Sequence, residues 1–407
     1  MRTILHVDLN NFYASVEILV NPALKGKFVA VCGSVENRHG IVLAKSENAK
    51  QMGVKTGMTI KEAESLCPNI VFVEANHKRF LAYSKLVRNI YRDYTDKIES
   101  FGIDECWLDC TASLKMFGSG EFIADEIRRR VKEELGLTVS VGVSFNKVFA
   151  KLGSDLKKPD GTTVIDVNNF KEKIWNLPAS DLLYVGKSMI TKLNKININT
   201  IGDLALTDRE YLVKKFGKWG GILHDYANGL DCGEVSYDGE EDEIKSVGNS
   251  MTTYRDIETV EDASMVFTIL AESVSERLIS YGVGKATSIS IYMRDENLFS
   301  LTRQCALDEP SVLPQDFHKK ALELFIKNRN RFVKYRTLGL SVKGFEVVEQ
   351  LNFYDQKYDE KLKLNSQIDK IRHKYGSGSV IKGNLLADKK LMKTENEKTS
   401  LMHPDKR

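Results

Sequence analysis

The stretch Phe101-Gly-Ile-Asp-Glu-Cys-Trp-Leu-Asp109 places two adjacent acids, Asp104 and Glu105, between two extended apolar runs. A third acid, Asp8, follows the strand-like run Thr3-Ile-Leu-His-Val7 near the start of the chain. Carboxylates at strand ends between apolar residues are costly to bury unless a cation neutralises them. The two stretches therefore predict a cation site at the ends of neighbouring strands.

The chemistry that fits these acids is phosphoryl transfer. Hard carboxylate oxygens suit Mg²⁺, which keeps other positions for phosphates and water, and two such ions about 3.5–4 Å apart can clamp the attacking and leaving oxygens. The aromatic pair Phe12-Tyr13 follows Asp8, and a lysine-rich segment, 144–159, follows a predicted strand, Thr138–Val143. Acids, aromatic ring and lysines together predict nucleotidyl transfer with two Mg²⁺ ions. For an isolated Asp-Glu pair, a solvated turn is the commoner interpretation.

Length and composition bound the class of protein. A chain of 407 residues predicts several domains, and apolar (42%) and charged (28%) fractions are those of a globular protein. The net charge of +3 does not by itself indicate nucleic-acid binding. The six cysteines form no CxxC pair, and Cys106 and Cys110 are expected to be packed thiols. With no signal peptide and no membrane-spanning run, we expect a cytoplasmic protein in a reducing compartment, with no membrane association.

Hydrophobic periodicity predicts mixed strands and helices. The helix predicted over Glu121–Leu135 places on one face the apolar residues Phe122, Ile123, Ile127, Val131 and Leu135. The other predicted elements of the first half are strands Thr3–Leu9, Phe28–Val31 and Ile41–Leu43 and helices Phe12–Val20, Lys45–Met52 and Ile60–Cys67. Those of the second half are strands Lys245–Ser250, Thr287–Arg294 and Tyr335–Phe345 and helices Ala263–Tyr281, Asp316–Lys327 and Asp359–Tyr375.

Blocks spread over the first 355 residues or so match one family in order. They are Val7–Glu17, Gly53–Met58, Ala63–Pro68, Ser100–Asp109, Ser140–Gly161, Phe216–Gly220, Lys245–Gly248 and Gln350–Tyr354. In these blocks the chain resembles the Y family of translesion DNA polymerases, in particular its bacterial DNA polymerase IV members. The resemblance implies a template-directed, low-fidelity DNA polymerase that extends a primer past damaged template, without a proofreading exonuclease.

The resemblance also implies an α+β multidomain fold, a right-hand polymerase with a ferredoxin-like palm. The expected domains are the palm (1–11 and 75–165), small fingers (12–74), a helix-hairpin-helix thumb (166–232), an acidic linker that acts as a tether (233–244), an α+β little finger (245–346), and a clamp-binding peptide with a tail (347–407). The expected partners are primer–template DNA, deoxynucleoside triphosphates and the sliding clamp (beta subunit), and we expect a monomer.

The resemblance implies that Asp8 and Asp104 bridge two Mg²⁺ ions. Glu105 would then complete the coordination of the ion that activates the primer 3′-hydroxyl. The Leu9 carbonyl is an expected further ligand. Tyr13 takes the position of the steric gate, where its ring excludes a ribose 2′-hydroxyl. The alternative is that Tyr13 is a core aromatic, but Phe12 and Tyr13 are expected to point in different directions.

The nucleotide pocket matches the family less completely. Phe12, Tyr13 and Lys158 fall at nucleotide-binding positions, and Lys50 stands where an arginine is common and so lacks its bidentate fork. Three other positions depart from the pattern: Glu47 replaces a triphosphate-binding tyrosine, Asn10 a second aspartate, and Gly102 a serine. None of these departures removes an expected metal ligand.

Contacts to DNA are expected from the thumb and the little finger. In the thumb they are Gly186, Lys187 and Lys218, whose segments resemble helix-hairpin-helix motifs that meet phosphates through backbone amides. In the little finger a basic run opposed only by Glu323 is expected to contact phosphates without sequence preference: Lys327, Arg329, Arg331, Lys334 and Arg336, with Lys319 and Lys320 before them. A merely solvated face is the other interpretation of such a run.

The peptide Gln350-Leu-Asn-Phe-Tyr354 resembles the segment by which bacterial polymerases dock on the sliding clamp. Gln350 would hydrogen-bond, and Leu351, Phe353 and Tyr354 would fill an apolar groove. The alternative is a closing strand of the preceding domain.

Two other functions compete with the polymerase. One is another palm-type nucleotidyl transferase, such as a nucleotide cyclase, which needs no template. The other is a catalytically silent scaffold that binds DNA or the clamp. The thumb-like block, the basic second domain and the intact acids favour the polymerase.

Overall fold

The structure, a computed structural model, describes residues 1–33, 40–240, 243–346, 356–376 and 379–386. The chain divides into two compact units, of which the first ends at Glu240 and the second follows it. Each unit has its own hydrophobic core. In these ranges we find no helix with the length and apolar character to cross a membrane.

The first unit contains both strands and helices. Its strands are β1 (Ile4–Leu9), β2 (Val29–Cys32), β3 (Val42–Lys45), β4 (Val71–Glu74), β5 (Ile98–Ser100), β6 (Glu105–Asp109), β7 (Val139–Ser144) and β8 (Thr162–Ile165). Its helices are α1 (Phe12–Val20), α2 (Glu47–Gln51), α3 (Ile60–Leu66), α4 (His77–Arg92), α5 (Leu114–Phe117), α6 (Gly120–Leu135), α7 (Lys147–Leu156), α8 (Phe170–Ile174), α9 (Lys187–Asn194), α10 (Ile201–Leu206), α11 (Arg209–Phe216) and α12 (Lys218–Ala227).

The five-stranded sheet of the first unit has the order β5-β6-β1-β7-β8. Strand β1 pairs antiparallel with both β6 and β7, so it lies at the centre. The chain order β1-α4-β5-β6-α6-β7 on this sheet is that of a ferredoxin-like fold, with β8 added at one edge. The predicted ferredoxin-like arrangement is therefore confirmed, and it brings the stretches around Asp8 and Glu105 onto adjacent strands.

Helix α6 covers this sheet, but not with all five of the predicted residues. Ile123, Ile127 and Val131 are fully buried, at the i, i+4, i+8 spacing of one helical face. Phe122 is 54% exposed, so the prediction that it shares the buried face of the helix is wrong. It lies about 100° around the helix from Ile123, just outside the stripe that faces the sheet.

A smaller sheet, with the order β3-β2-β4, lies between β1 and α4 in the sequence. Val42, Ala49 and Ala63 are fully buried in its core. Helix α3 begins with a capping box in which Thr59 and Glu62 satisfy each other's backbone N–H groups. Strand β4 and helix α4 have no counterpart among the predicted elements, and α2 is shorter than the predicted helix.

The segment from α8 to α12 is helical, and its core is shared with Val148, Phe149 and Leu152 of α7. Beyond it, the acidic segment 233–244 is not an open tether in its first part. Val235 is buried against Ile4 and Trp107, and Asp238 accepts a hydrogen bond of 2.5 Å from Arg92 Nε. The single apolar side chain of Val235 packs the segment against the first unit. The acidic composition of the segment does not predict this contact.

The second unit contains a four-stranded sheet of order β11-β10-β12-β9, with helices packed on its core. Its elements are β9 (Ser246–Ile257), α13 (Val260–Tyr281), β10 (Lys285–Asp295), β11 (Ser300–Ser311), α14 (Pro314–Asn328), β12 (Tyr335–Glu346) and α15 (Gln356–Tyr375). Strand β11 was not predicted, because it is a polar edge strand. Within this unit, Arg372 of α15 pairs with Glu272 of α13 at 2.9 Å. The clamp peptide Gln350–Tyr354 lies outside the described residues.

Candidate active site

Three carboxylates meet at one end of the central strands. Asp8 on β1 is the direct cross-strand partner of Glu105 on β6. The backbone N–H of Leu9 donates to the Asp104 carbonyl at 3.0 Å, which holds Asp104 beside the same strand end. Asp8 is only 6% exposed. The acids that the sequence predicted as partners are therefore adjacent in space.

Two lysines lie against these carboxylates. Lys158 Nζ is 2.7 Å from Asp8 Oδ2, and Lys151 Nζ is 2.8 Å from Glu105 Oε2 and 3.5 Å from Asp8 Oδ2. Lys151 was not singled out from the sequence. The signal that could have found it is its position between the buried residues Ala150 and Leu152 of α7, where an unpaired lysine is rare.

His6 supports the site from beneath and was also missed. Its ring is fully buried, with Nδ1 2.8 Å from Ser154 Oγ and Nε2 3.2 Å from Glu105 Oε2. Ser154 Oγ donates to the Lys151 carbonyl, so its oxygen is available to accept from His6. Burial lowers the pKa of His6, and contact with Glu105 opposes that change.

The carboxylates differ in their acidity. Burial, followed by the charges of Asp8 and Glu105, raises the pKa of Asp104 to about 6. Burial also raises the pKa of Asp8, although Lys158 opposes it. For Glu105, burial acts in the same direction but is outweighed by His6 and Lys151, which hold its pKa at about 2. The site therefore carries more buried negative charge than the two lysines neutralise.

This donor set fits a divalent cation. Three carboxylates with hard oxygen atoms, one of them with its pKa raised to about 6 by burial and by its acidic neighbours, are the ligand chemistry that Mg²⁺ prefers, and a bound cation would favour their ionised forms. Within the described ranges, however, no three His, Cys, Asp or Glu side chains already surround one metal position, since the lysine ammonium groups lie against the carboxylate oxygens. A metal ion would take over the charge neutralisation that Lys151 and Lys158 supply here.

Tyr13 lies close to the carboxylates and on an aromatic platform. Its ring stacks on Phe80 with centroids 4.1 Å apart and planes 7° apart, and its pKa is raised by burial and by Asp104. Phe12 is buried, and its ring centroid lies 6.2 Å from that of Phe80. Both rings contact Phe80 from the first turn of α1, Phe12 buried and Tyr13 half-buried, and the expectation that they point in different directions stays a prediction.

A cavity of about 170 Å³ opens beside Asp8. It is lined by Asp8, Asn11, Lys45, Glu47, Lys50 and Lys158. Asn11 Nδ2 donates to Glu47 Oε2 at 3.0 Å, and Lys50 Nζ is 3.8 Å from Glu47 Oε1. Lys45 is a cavity residue that the sequence did not indicate.

The two remaining departures from the family pattern have structural explanations. The Asn10 side chain bridges strands, since its Oδ1 accepts from Ser140 Oγ at 2.9 Å and its Nδ2 donates to Thr138 Oγ1 at 3.2 Å. Gly102 has a φ of +91°, where a serine would be strained. The Asp109 carboxylate, at the other end of β6 from Glu105, accepts from the backbone N–H of Thr111 at 3.0 Å.

The predicted DNA contacts of the first unit lie at helix starts. Gly186 precedes α9, Lys187 begins it, and Lys218 begins α12. The rings of Tyr184 and Trp219, both about half exposed, are 5.6 Å apart and bring these two helix starts together. The two helix starts, where backbone N–H groups lack partners within the helix, therefore lie close together.

The basic run of the second unit is more neutralised than its sequence indicates. Lys334 Nζ lies 2.8 Å from Glu258 Oε1, and Lys320 Nζ lies 2.7 Å from Asp308 Oδ1. The expectation that only Glu323 opposes the run is wrong, because its partners come from distant segments. Lys327, Arg331 and Lys334 are exposed, and the Arg329 guanidinium lies over the Phe325 ring.

A groove of about 690 Å³ on the sheet of the second unit was also missed. Small polar and basic side chains line it, including Asn249, Ser250, Thr252, Ser290, Arg294 and Ser341. The signal in the sequence is the alternation in β10, where Ser290, Tyr292 and Arg294 share one face and Ile289, Ile291 and Met293 are fully buried on the other.

Comparison with known proteins shows the family to which the chain belongs. The chain matches the model of the impB/mucB/samB family over residues 7–155 and the C-terminal domain model of that family over residues 244–353. It is 50% identical over 395 residues to a DNA polymerase IV of Acetivibrio thermocellus, covering 96% of this chain and 99% of the relative. It is 36% identical over 403 residues to a DNA polymerase IV of Clostridium kluyveri, with coverage of 96% and 99%.

Solved structures give the same result. A Y-family DNA polymerase chimera, Dbh-Dpo4(243-245)-Dbh, superposes with a TM-score of 0.73 at 25% identity and covers 85% of this chain and 99% of its own. The insertion ternary complex of Dbh DNA polymerase gives a TM-score of 0.58 at 25% identity, with coverage of 85% and 99%. The family, the fold class and the activity predicted from the sequence are confirmed. The chain therefore belongs to the Y family of DNA polymerases, in its DNA polymerase IV group, and is a DNA-directed DNA polymerase of the translesion type.

Proposed function

We propose that Asp8, Asp104 and Glu105 hold two Mg²⁺ ions at the end of β1 and β6, with the Leu9 carbonyl as a further ligand. Enzymes of this family generally use divalent metal ions. We propose that the ion is Mg²⁺, that two ions bind, and that these residues are their ligands. The observation that supports it most is the cross-strand pairing of Asp8 with Glu105, with Asp104 tied to Leu9 alongside. When bound, the ions would supply electrophilic stabilisation of phosphate oxygens and acidify the primer 3′-hydroxyl.

The protein's own side chains position the reactants and neutralise charge. Lys158, beside Asp8, would bind the triphosphate of the incoming deoxynucleotide once its ammonium group leaves the carboxylate. Lys151, buried between Asp8 and Glu105, would balance the negative charge of the site as substrate arrives. Most of the acceleration then comes from orientation and from charges fixed in place before reaction.

Tyr13 is the proposed steric gate, and Phe12 supports the pocket behind it. The stacking of Tyr13 on Phe80 fixes the ring rather than leaving it free to swing. A fixed ring beside the carboxylates would collide with a ribose 2′-hydroxyl but leave room for deoxyribose. Lys50 would assist with the triphosphate as a point charge.

The domain assignment follows the same proposal. The five-stranded sheet and its helices form the palm (1–11 and 75–165), the smaller sheet the fingers (12–74) and the α8–α12 segment the thumb (166–232). Segment 233–244 forms the linker and the four-stranded sheet the little finger (245–346). Gly186, Lys187 and Lys218 would bind DNA phosphates through helix starts. Lys327, Arg329, Arg331, Lys334 and Arg336, together with the polar groove of the second unit, would hold the duplex without reading sequence.

Two partners complete the proposal. The polymerase would bind primer–template DNA as a monomer in the cytoplasm. Gln350, Leu351, Phe353 and Tyr354 would dock on the beta-subunit sliding clamp, which raises local concentration and compensates for weak DNA affinity.

Primer extension tests the metal site. We expect wild-type protein to extend a templated primer with Mg²⁺ and deoxynucleotides, and Glu105→Ala to lose that activity. Glu121→Ala, an exposed acid at the start of α6, is the matched control. A second readout is the melting temperature, which Mg²⁺ with a deoxynucleotide should raise in wild type and control but not in Glu105→Ala. Full extension by Glu105→Ala would remove that residue from the site, and wild-type protein that binds duplex without extending it would favour the scaffold.

A further inference from the structure

We propose that Lys45 binds the terminal phosphate of the incoming nucleotide and shares with Lys50 the role that an arginine has in related enzymes. The inference rests on the proposed function of the same cavity as a deoxynucleotide site. It extends that function to a residue on β3 that neither sequence pattern nor family resemblance singled out.

The position of Lys45 supports this role. It is the last residue of β3, and it lines the cavity together with Glu47 and Lys50. Its Nζ donates to Thr56 Oγ1 at 3.1 Å, a neutral hydroxyl, and no carboxylate of the described residues accepts a hydrogen bond from this ammonium group. Lys45 is half-buried, unlike Lys61 on the same small-sheet region, which is exposed.

The walls of the cavity come from two sheets, which separates the roles of its lysines. Asp8 and Lys158 belong to the five-stranded sheet and the segment that follows α7, and they lie 2.7 Å apart. Lys45, Glu47 and Lys50 belong to β3 and α2 of the smaller sheet. The reacting α-phosphate has to lie beside the carboxylates. The β- and γ-phosphates would therefore lie nearer the wall that carries Lys45.

The charge of the cavity also favours an anion. Three ammonium groups, Lys45, Lys50 and Lys158, face it against two carboxylates, of which Asp8 is bonded to Lys158 and Glu47 lies 3.8 Å from Lys50. Burial, Lys50 and Lys158 hold the pKa of Lys45 below its ordinary value, and Glu47 opposes them. A polyphosphate would relieve this repulsion. Because an ammonium group lacks the planar fork of arginine, two lysines would be needed to make the two phosphate contacts that one guanidinium makes.

The test is equilibrium binding of nucleotides to protein on a dideoxy-terminated primer, so that no turnover occurs. We expect Lys45→Ala to raise the Kd for the matched deoxynucleoside triphosphate about tenfold, the change that one charge-assisted contact produces. The Kd for the matching diphosphate should stay within about twofold, since it lacks the terminal phosphate. Lys45→Arg should restore triphosphate affinity, and Lys61→Ala should behave as wild type.

Separate results overturn the inference and the function beneath it. A Lys45→Ala protein with wild-type triphosphate affinity overturns the inference and leaves the polymerase site intact. Equal losses for triphosphate and diphosphate, or a lowered melting temperature with no rescue by Lys45→Arg, assign Lys45 a structural role and also overturn it. If wild-type protein with a normal primer incorporates no nucleotide, the proposed function fails first. Affinity of Lys45→Ala for primer–template DNA should remain that of wild type, because the proposed contact is to the nucleotide alone.

Discussion

Gly142 of β7 and Gly153 of α7 are in direct backbone contact, since a Cβ added at Gly153 would lie 3.1 Å from Gly142 Cα. A Cβ added at Gly142 would lie 1.9 Å from the Ala150 carbonyl oxygen, which is inside van der Waals contact. This close approach seats α7 on the sheet and thereby places Lys151 against Asp8 and Glu105.

We therefore expect Gly142→Ala to displace α7 and lower the stability of the first unit by about 3 kcal/mol or more. Thermal unfolding followed by circular dichroism measures the change. Gly33→Ala is the control, because no atom lies within 4 Å of its added Cβ. Unfolding of Gly142→Ala at the wild-type temperature would show that the helix moves away without cost.

Lys151 neutralises the carboxylates when no metal is bound, and its loss should make the protein depend on metal. For Lys151→Met, we expect a melting temperature in EDTA about 5 °C below that of wild type, because Asp8 and Glu105 lose a close cation. Added Mg²⁺ should recover most of the difference.

The control for that comparison is Lys25→Met, an exposed lysine remote from the carboxylates in sequence. If Mg²⁺ raises the melting temperature of Lys151→Met no more than that of wild type, Lys151 does not occupy the place of a metal charge.

Sequence reasoning could place the acids and, through the family resemblance, Lys50 and Lys158, but not Lys45 or Lys151. Asp8, Asp104 and Glu105 are recognisable because acids rarely end apolar strands, and that signal is local. The contact of Lys151 with Glu105 depends on the Gly142–Gly153 approach, a tertiary relationship that no periodicity encodes. The pairing of Lys334 with Glu258 is hidden for the same reason, because it joins segments far apart in sequence. Strand β11 was not predicted from the sequence, because an edge strand lacks the alternation of apolar and polar residues that marks the other strands.

Glu47 should weaken nucleotide binding, because its carboxylate faces the same cavity as the phosphates. We expect Glu47→Gln to lower the KM for deoxynucleotides about threefold, the effect of one partly exposed charge, with little change in kcat. The amide can still accept the hydrogen bond from Asn11. Single-nucleotide insertion kinetics measure both constants. A raised KM would show that Glu47 instead orders the pocket.

Asp262 should make the stability of the second unit depend on pH. Its carboxylate accepts two hydrogen bonds from Arg255, at 2.9 and 2.6 Å, and others from the backbone N–H groups of Glu258 and Thr259. These partners outweigh burial and hold the pKa of Asp262 below its ordinary value. A depressed pKa stabilises the folded state above the unfolded pKa, and this contribution is lost as pH falls through the folded value.

Asp262→Asn should therefore cost about 2 kcal/mol at pH 7, and the difference from wild type should shrink below about pH 4. Urea unfolding of the full chain at several pH values measures it. Glu261→Gln, an exposed neighbour in the same helical turn, is the control. A difference that is constant with pH would mean that the carboxylate charge is not what stabilises this turn.

The discrimination of Tyr13 against ribonucleotides should depend on the contact with Phe80 that fixes the position of its ring. Tyr13→Ala removes the ring and should raise incorporation of ribonucleotides relative to deoxynucleotides about 100-fold. Tyr13→Phe keeps the ring stacked and should discriminate as wild type does. Phe80→Leu keeps Tyr13 but removes the face on which it stacks at 4.1 Å, so we expect an intermediate loss of discrimination. Insertion kinetics with matched ribo- and deoxynucleotides measure the ratio. If Phe80→Leu discriminates as wild type does, the backbone of α1 alone positions the ring. If Tyr13→Ala also discriminates as wild type does, Tyr13 is a core aromatic and not the gate.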